Sequence, residues 1–226
     1  MLRAIIFDFD GVIANSEPLH LRAFQEVLAD ERLVFVPADY YNRYLGFDDV
    51  GVFRAVAAAE RLDWSASKIA DLVSRKAIRL ETLEKDGAIL FPGAADAVRR
   101  AAARAPLAIA SGALGAEIRR VLDHADLTRC FHAIVSAEDT RLSKPAPDPY
   151  REAVVRLSTH IGASLPAADC VAIEDSRWGV ESARAAGLRT VAVAQTYEPN
   201  ALRGADLVIR SIADLDLTAL ERLCPD

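Results

Sequence analysis

A chain of 226 residues is longer than one compact unit usually needs and shorter than two large domains take, so one core carrying a smaller module is expected. Its formal net charge of −6 and pI near 5.3 argue against nucleic acid as a partner, because a phosphate backbone would be repelled. The apolar runs stop short of a membrane span, residues 1–10 lack a signal-peptide pattern, and the three scattered cysteines show neither metal-ligand spacing nor a disulfide framework. The expectation is a monomeric protein of the reducing cytoplasm, with no nucleic-acid or membrane partner.

In chain order, Arg3 to Phe7 form a short apolar run that ends at Asp8-Phe9-Asp10-Gly11, as a buried strand entering a turn does. The stretch that follows, up to residue 86, is far longer than one crossover requires. It reads as successive helices. One starts at Ser16 and Pro18 with Leu21, Phe24 and Leu28 along one face; a short piece lies at 39–44, and longer ones at 48–62 and 65–83. This insert predicts a small second domain over 15–86, with 1–14 and 87–226 forming the main one. Its two connections, near Ala14–Glu17 and Lys85–Ala88, would lie side by side and let it hinge as a lid.

From Gly93 onward strands alternate with helices. Strands are expected at 107–110, 133–135, 170–173, 190–194 and 207–209. A helix from Pro92-Gly93 runs to Arg104, and another follows Gly112. Asp148 is expected to N-cap a third, Ser176 caps a fourth, and Gly187 stops it. The alternation predicts an α/β fold, a doubly wound parallel sheet with an inserted helical domain.

In such sheets ligands bind beyond the carboxyl ends of the strands. Those ends deliver Asp8 and Asp10, then Ser111, then Glu174 and Asp175, while the loop after 133–135 leads to Lys144. So many carboxylates in one rim need protons or a cation, and oxygen-rich donors suit Mg2+, whereas the missing His/Cys cluster disfavours zinc. Asp8 and Asp10 are two apart, so one can attack while the other handles a proton, and Gly11 lets the backbone turn. Glu174 and Asp175 are adjacent after a strand end, so they are not expected to point the same way, which ranks Glu174 behind Asp175.

The segments Phe7-Asp8-Phe9-Asp10-Gly11-Val12-Ile13, Ala110-Ser111-Gly112, Ser143-Lys144-Pro145-Ala146-Pro147-Asp148 and Ile173-Glu174-Asp175-Ser176 resemble, in order, the motifs of the haloacid dehalogenase superfamily. The resemblance is to its branch with a helical cap after the first strand, and it spans nearly the whole chain. Asn15-Ser16-Glu17-Pro18-Leu19-His20 is further similar to the β-phosphoglucomutase-like and small sugar-phosphatase members. The resemblance implies that Asp8 attacks phosphorus and that Asp10 first protonates the leaving oxygen and then activates water. It implies that Mg2+ is held by Asp8, the Asp10 carbonyl and Asp175, with Glu174 bound directly or through water. Ser111, Gly112 and Lys144 would hold the phosphoryl group of a small phosphorylated metabolite.

In the cap, His20, Arg43, Phe47 and Lys76 are candidates to meet substrate. The loop Leu45-Gly46-Phe47-Asp48-Asp49-Val50 departs from the basic, hydroxyl-rich loop of the mutases, which weighs against mutase activity. A sugar-phosphate phosphatase is therefore the leading expectation, a β-phosphoglucomutase-type enzyme the alternative, and a catalytically silent phosphate-binding protein the remote one. The metal-free dehalogenases lack an acid/base aspartate at the position of Asp10, and a receiver domain would be about half this length.

Overall fold

A computed structural model describes residues 1–44, 47–84 and 89–224. The chain divides into two compact units, Met1–Asn15 with Ile89–Asp226, and Ser16–Ala88. The expected junction at Lys85–Ala88 and the pair Leu45-Gly46 lie outside the described residues.

In the first unit β1 (Ala4–Phe7) is followed, after the other unit, by α5 (Ala94–Ala102), β2 (Leu107–Ala110), α6 (Gly115–His124) and β3 (Phe131–Val135). Then come α7 (Asp148–Ile161), β4 (Cys170–Glu174), α8 (Arg177–Ala185), β5 (Arg189–Val193), β6 (Leu207–Ile209) and α9 (Leu217–Leu223). Among the described residues the strands form one parallel sheet in the order β3-β2-β1-β4-β5-β6. The order reverses at β1, where a doubly wound sheet opens a crevice for ligands.

The central strands read as continuous apolar runs because both of their faces are covered. Ala4, Ile6, Ala108, Ala110 and Ala172 pack with Tyr150, Ala153 and Leu157 of α7 and Ala183 of α8. Their alternates Ile5, Phe7, Ile109 and Ile173 are equally buried, and Phe7 meets Phe131 edge-on at 6.2 Å.

At the β3 edge the register with β2 shifts between Leu107 and Ala108, and the His132 Nδ1 accepts the Leu107 N–H at 3.3 Å. Arg156 donates to the Ile134 carbonyl at 2.7 Å, which blunts this edge against pairing with another strand.

Ser176 caps α8 as expected, accepting the Gly179 N–H, and Gly187 follows that helix at φ +89°. Asp148 does not cap α7. Pro147 already has helical backbone angles, so the helix begins one residue earlier and Asp148 lies in its first turn.

In the second unit α1 (Glu17–Asp30) is followed by α2 (Pro37–Asp39), which runs into a π-helical turn at Tyr40–Tyr44, and then by α3 (Asp49–Ala59) and α4 (Ala66–Glu84). Its core gathers Phe24, Val27, Leu28, Phe35, Phe53 and Leu72. Arg75 ties α4 to the end of α1 through Asp30 and Glu31 at 2.8 and 2.6 Å. Among the described residues no helix is long and apolar enough to cross a membrane.

Candidate active site

The chain leaves β1 with Asp8 still in the sheet, its N–H donating to the Ile173 carbonyl at 2.8 Å. A tight turn follows, in which Ile13 and Ala14 both donate to the Phe9 carbonyl at 2.9 Å and Gly11 takes φ +77°. A side chain at Gly11 would be strained by that φ, and its Cβ would fall 1.9 Å from the Asp175 Oδ2. Gln195, just after β5, donates to the Gly11 carbonyl at 3.1 Å while its Oε1 accepts the Ile212 N–H at 2.8 Å.

Lys144 reaches this turn from the loop after β3. Its Nζ lies 2.9 Å from Asp8 Oδ1 and 2.5 Å from Glu174 Oε1. The loop is held at both ends. Ser136 donates through its N–H and hydroxyl to Asp139 at 2.8 and 2.6 Å, Arg156 grips the other Asp139 oxygen at 2.7 Å, and Ser182 donates to the Ala146 carbonyl at 2.5 Å.

Glu174 is fully buried and saturated with donors. Oε1 accepts from Lys144 and from the Tyr150 hydroxyl at 2.9 Å, and Oε2 from the Asp175 and Ser176 N–H groups and the Ser176 hydroxyl at 3.0–3.2 Å. Gly179 makes room for it, since a Cβ there would lie 1.8 Å from Oε1. The strand ends at Glu174 and the chain bends at Asp175 and Ser176. Strand alternation therefore no longer applies, and both carboxylates reach one place. Asp8, Glu174 and Asp175 each offer an oxygen, and the three atoms lie within 4.8 Å of one another.

Three buried carboxylates against the Lys144 ammonium leave an excess of negative charge. Burial first, then Glu174, push the Asp8 carboxyl up to about 7, although Lys144 pulls it down. Burial, then Glu174 and Asp8, hold Asp175 well above the usual carboxylate range against a hydrogen bond from Thr196. Burial opposes the charge on Lys144, yet Asp8 and Glu174 together keep its ammonium above its ordinary value. Asp10, half-buried, adds its own repulsion to Asp8. Such a cluster, all oxygen and without a thiol or imidazole, fits a hard divalent cation.

On the neighbouring strand, paired with β1 at Phe7 and Ile109, buried Ser111 follows β2 and accepts the Ala113 N–H at 3.0 Å; Gly112 beside it is open to solvent. In the other unit Lys76 is only 2% exposed, with its Nζ 2.8 Å from both His20 Nδ1 and Asp49 Oδ1 and 4.9 Å from the centroid of the Phe24 ring. Arg43 and Phe47 form a separate group around the Tyr44 ring, and Asp48 is the cap of α3, accepting the Gly51 N–H at 2.7 Å.

The sequence reading missed Tyr150, Gln195 and Thr196. The last two follow β5 at the same sheet end, and the rule that ligands gather at carboxyl ends points to them once applied to that strand. Tyr150 carries no such signal, since it stands in the first turn of a helix and not at a strand end.

The model of the haloacid dehalogenase-like hydrolase family matches residues 5–193. The chain is 36% identical over 204 residues to Protein CbbY of Rhodobacter capsulatus, covering 87% of each. It is 28% identical to the fructose-1-phosphate phosphatase YqaB of Escherichia coli, over 84% of this chain and 95% of that one. A crystal structure of a CbbY variant from Rhodobacter sphaeroides in complex with xylulose-1,5-bisphosphate superposes with a TM-score of 0.83 at 28% identity, over 97% of this chain and 99% of that chain. The chain belongs to the haloacid dehalogenase-like hydrolase family.

Proposed function

We propose that the protein is a Mg2+-dependent phosphatase that removes phosphate from a small sugar phosphate through an aspartyl phosphate on Asp8. The observation that carries this reading is the buried Asp8 carboxylate, held by Lys144 at 2.9 Å within a cluster of acids.

In the first step an Asp8 oxygen attacks phosphorus and the ester oxygen leaves with a proton from Asp10. In the second, Asp10 takes a proton from water, which attacks the same phosphorus, frees Asp8 and releases phosphate. Splitting the displacement matters because uncatalysed phosphate monoester hydrolysis demands acceleration of up to about 10²¹-fold. Lys144 favours the ionised form of Asp8 and faces the transferring oxygens, with Ser111 and the Gly112 backbone as further donors to them. Mg2+, held by Asp8, Asp175 and the Asp10 carbonyl, supplies positive charge against the phosphoryl oxygens when bound. Glu174, already filled with donors, holds Lys144 in place against Asp8.

Gly11→Ala tests the metal assignment, because its Cβ would displace Asp175. The variant is expected to bind Mg2+ about 10-fold more weakly in a calorimetric titration. Its backbone strain adds a stability loss of roughly 1–2 kcal/mol. Wild-type affinity in this variant would remove Asp175 from the metal site.

Ketose phosphates head the substrate panel because CbbY binds xylulose-1,5-bisphosphate and YqaB is named for fructose 1-phosphate. Selection among them is assigned to the helical unit, with His20, Arg43, Phe47 and Lys76 as the residues to vary. Phosphate release from these esters and from both glucose 1-phosphate anomers is expected to need Mg2+ and to fall at least ~100-fold with chelator. Conversion of glucose 1-phosphate to the 6-phosphate without release would instead identify a mutase. Silence towards every ester from folded protein would overturn the enzymatic reading.

A further inference from the structure

We infer that the Tyr150 hydroxyl is a positioning group for the phosphoryl transfer proposed above: through Glu174 it fixes the Lys144 ammonium on Asp8. The inference rests on that reading for its chemistry and on the following contacts for its geometry.

Tyr150 is the third residue of α7 and is completely buried, its ring sharing a core cluster with Ala110, Val135, Ala153 and Leu157. Its hydroxyl donates to Glu174 Oε1 at 2.9 Å, the oxygen that also accepts from Lys144 at 2.5 Å. The ammonium continues to Asp8 Oδ1 at 2.9 Å and lies 5.1 Å from the centroid of the Tyr150 ring. A chain of four groups results: Tyr150 hydroxyl, Glu174 carboxylate, Lys144 ammonium, Asp8 carboxylate. Burial, then Glu174, keep the phenol protonated, so it is a permanent donor.

The division of labour at Glu174 makes the hydroxyl matter. Oε2 is occupied by the main chain at Asp175 and Ser176 and by the Ser176 hydroxyl, which anchor one end of the carboxylate. Oε1 answers to Tyr150 and Lys144. Without the hydroxyl, Lys144 becomes the sole side-chain donor to Oε1, and the shared ammonium is drawn toward Glu174 and away from Asp8. Misplacing a reacting group by about 1 Å can lower a rate by ~100-fold, so even a partial shift is measurable. The ring itself is a supporting wall for the cation and is retained when the hydroxyl alone is removed.

Tyr150→Phe is therefore expected to lower kcat about 10-fold while KM stays within about twofold, because the loss falls on the transition state. In a Lys144→Ala background the same change should have no further effect on the residual rate, since its route of action is already gone. A wild-type kcat in Tyr150→Phe, or the same fractional loss in both backgrounds, would overturn the inference and leave Tyr150 as packing. A crystal structure of Tyr150→Phe decides the matter independently of turnover. Lys144 Nζ displaced from Asp8 relative to the wild-type crystal supports the inference, and an unmoved Nζ sinks it. Wild-type protein that hydrolyses no ester would defeat the proposed function, and the crystal structure would still judge this contact.

Discussion

Asp8→Asn is expected to abolish phosphate release and at the same time to stabilise the metal-free protein at pH 8. Loss of the proposed nucleophile should lower kcat by about 10⁴-fold or more, since an amide cannot form the proposed aspartyl phosphate. The gain in stability follows from the sign of the Asp8 shift. Its carboxyl is raised from 3.8 to about 7 by burial and by Glu174, so the folded state holds this proton more tightly than the unfolded chain does. The contribution is complete below the unfolded value near 3.8 and is lost as pH rises through about 7. At pH 8 the charged Asp8 works against the fold by up to about 4 kcal/mol, a net figure that already includes the pairing with Lys144. Thermal unfolding in chelator should show the Asn variant several degrees above wild type at pH 8, with the difference shrinking toward pH 5. Added Mg2+ should stabilise wild type more than the variant. A variant no more stable than wild type at pH 8 without metal would refute the crowding of charge in this site.

Lys144→Met has the second largest expected effect, and here activity and stability fall together. The ammonium is bonded to Asp8 and to fully buried Glu174, so its removal leaves both carboxylates without their shared cation. Removing one partner of a buried ion pair typically destabilises by about 3–5 kcal/mol. Turnover should fall about 10³-fold with the loss of a preorganised positive group at the transferring phosphoryl. Arginine should not restore it, because a planar fork cannot occupy the place of a compact ammonium wedged between two carboxylates and the Tyr150 ring. Denaturant unfolding at pH 8 and pH 5 distinguishes this from simple loss of packing: the deficit should be smaller at pH 5, where Asp8 takes a proton, and a deficit independent of pH would point to packing alone.

Most of the candidate site was legible before any coordinates, for a specific reason. Asp8, Ser111 and Glu174 each follow directly on an apolar run, with Asp175 one residue further, and the place where such a run stops marks the ligand-binding end of a parallel sheet. Ser176 and Gly187 were equally legible, because capping and helix termination depend on side chains one to three residues away. Asp148 shows the limit even of local reading. Its helix starts one residue early because Pro147 is already helical, and an Asp-Pro pair alone does not reveal that.

The division between sequence and structure therefore follows the range of the interactions. The amino-acid order by itself determined which segments are strands and helices, that the sheet is parallel and interrupted by a helical insert, and which residues stand at its carboxyl ends. These rest on periodicity, turn chemistry and chain connectivity, all of which act over short stretches. Only the tertiary structure decided that Tyr150 completes the shell of Glu174, that Thr196 bonds Asp175, that Gln195 secures the Gly11 turn, and that Lys76 is held by His20 across 56 positions in sequence. Such contacts depend on strand register and on how far each loop returns. Their partners are chosen by packing among elements distant in the chain, and no local pattern records that choice.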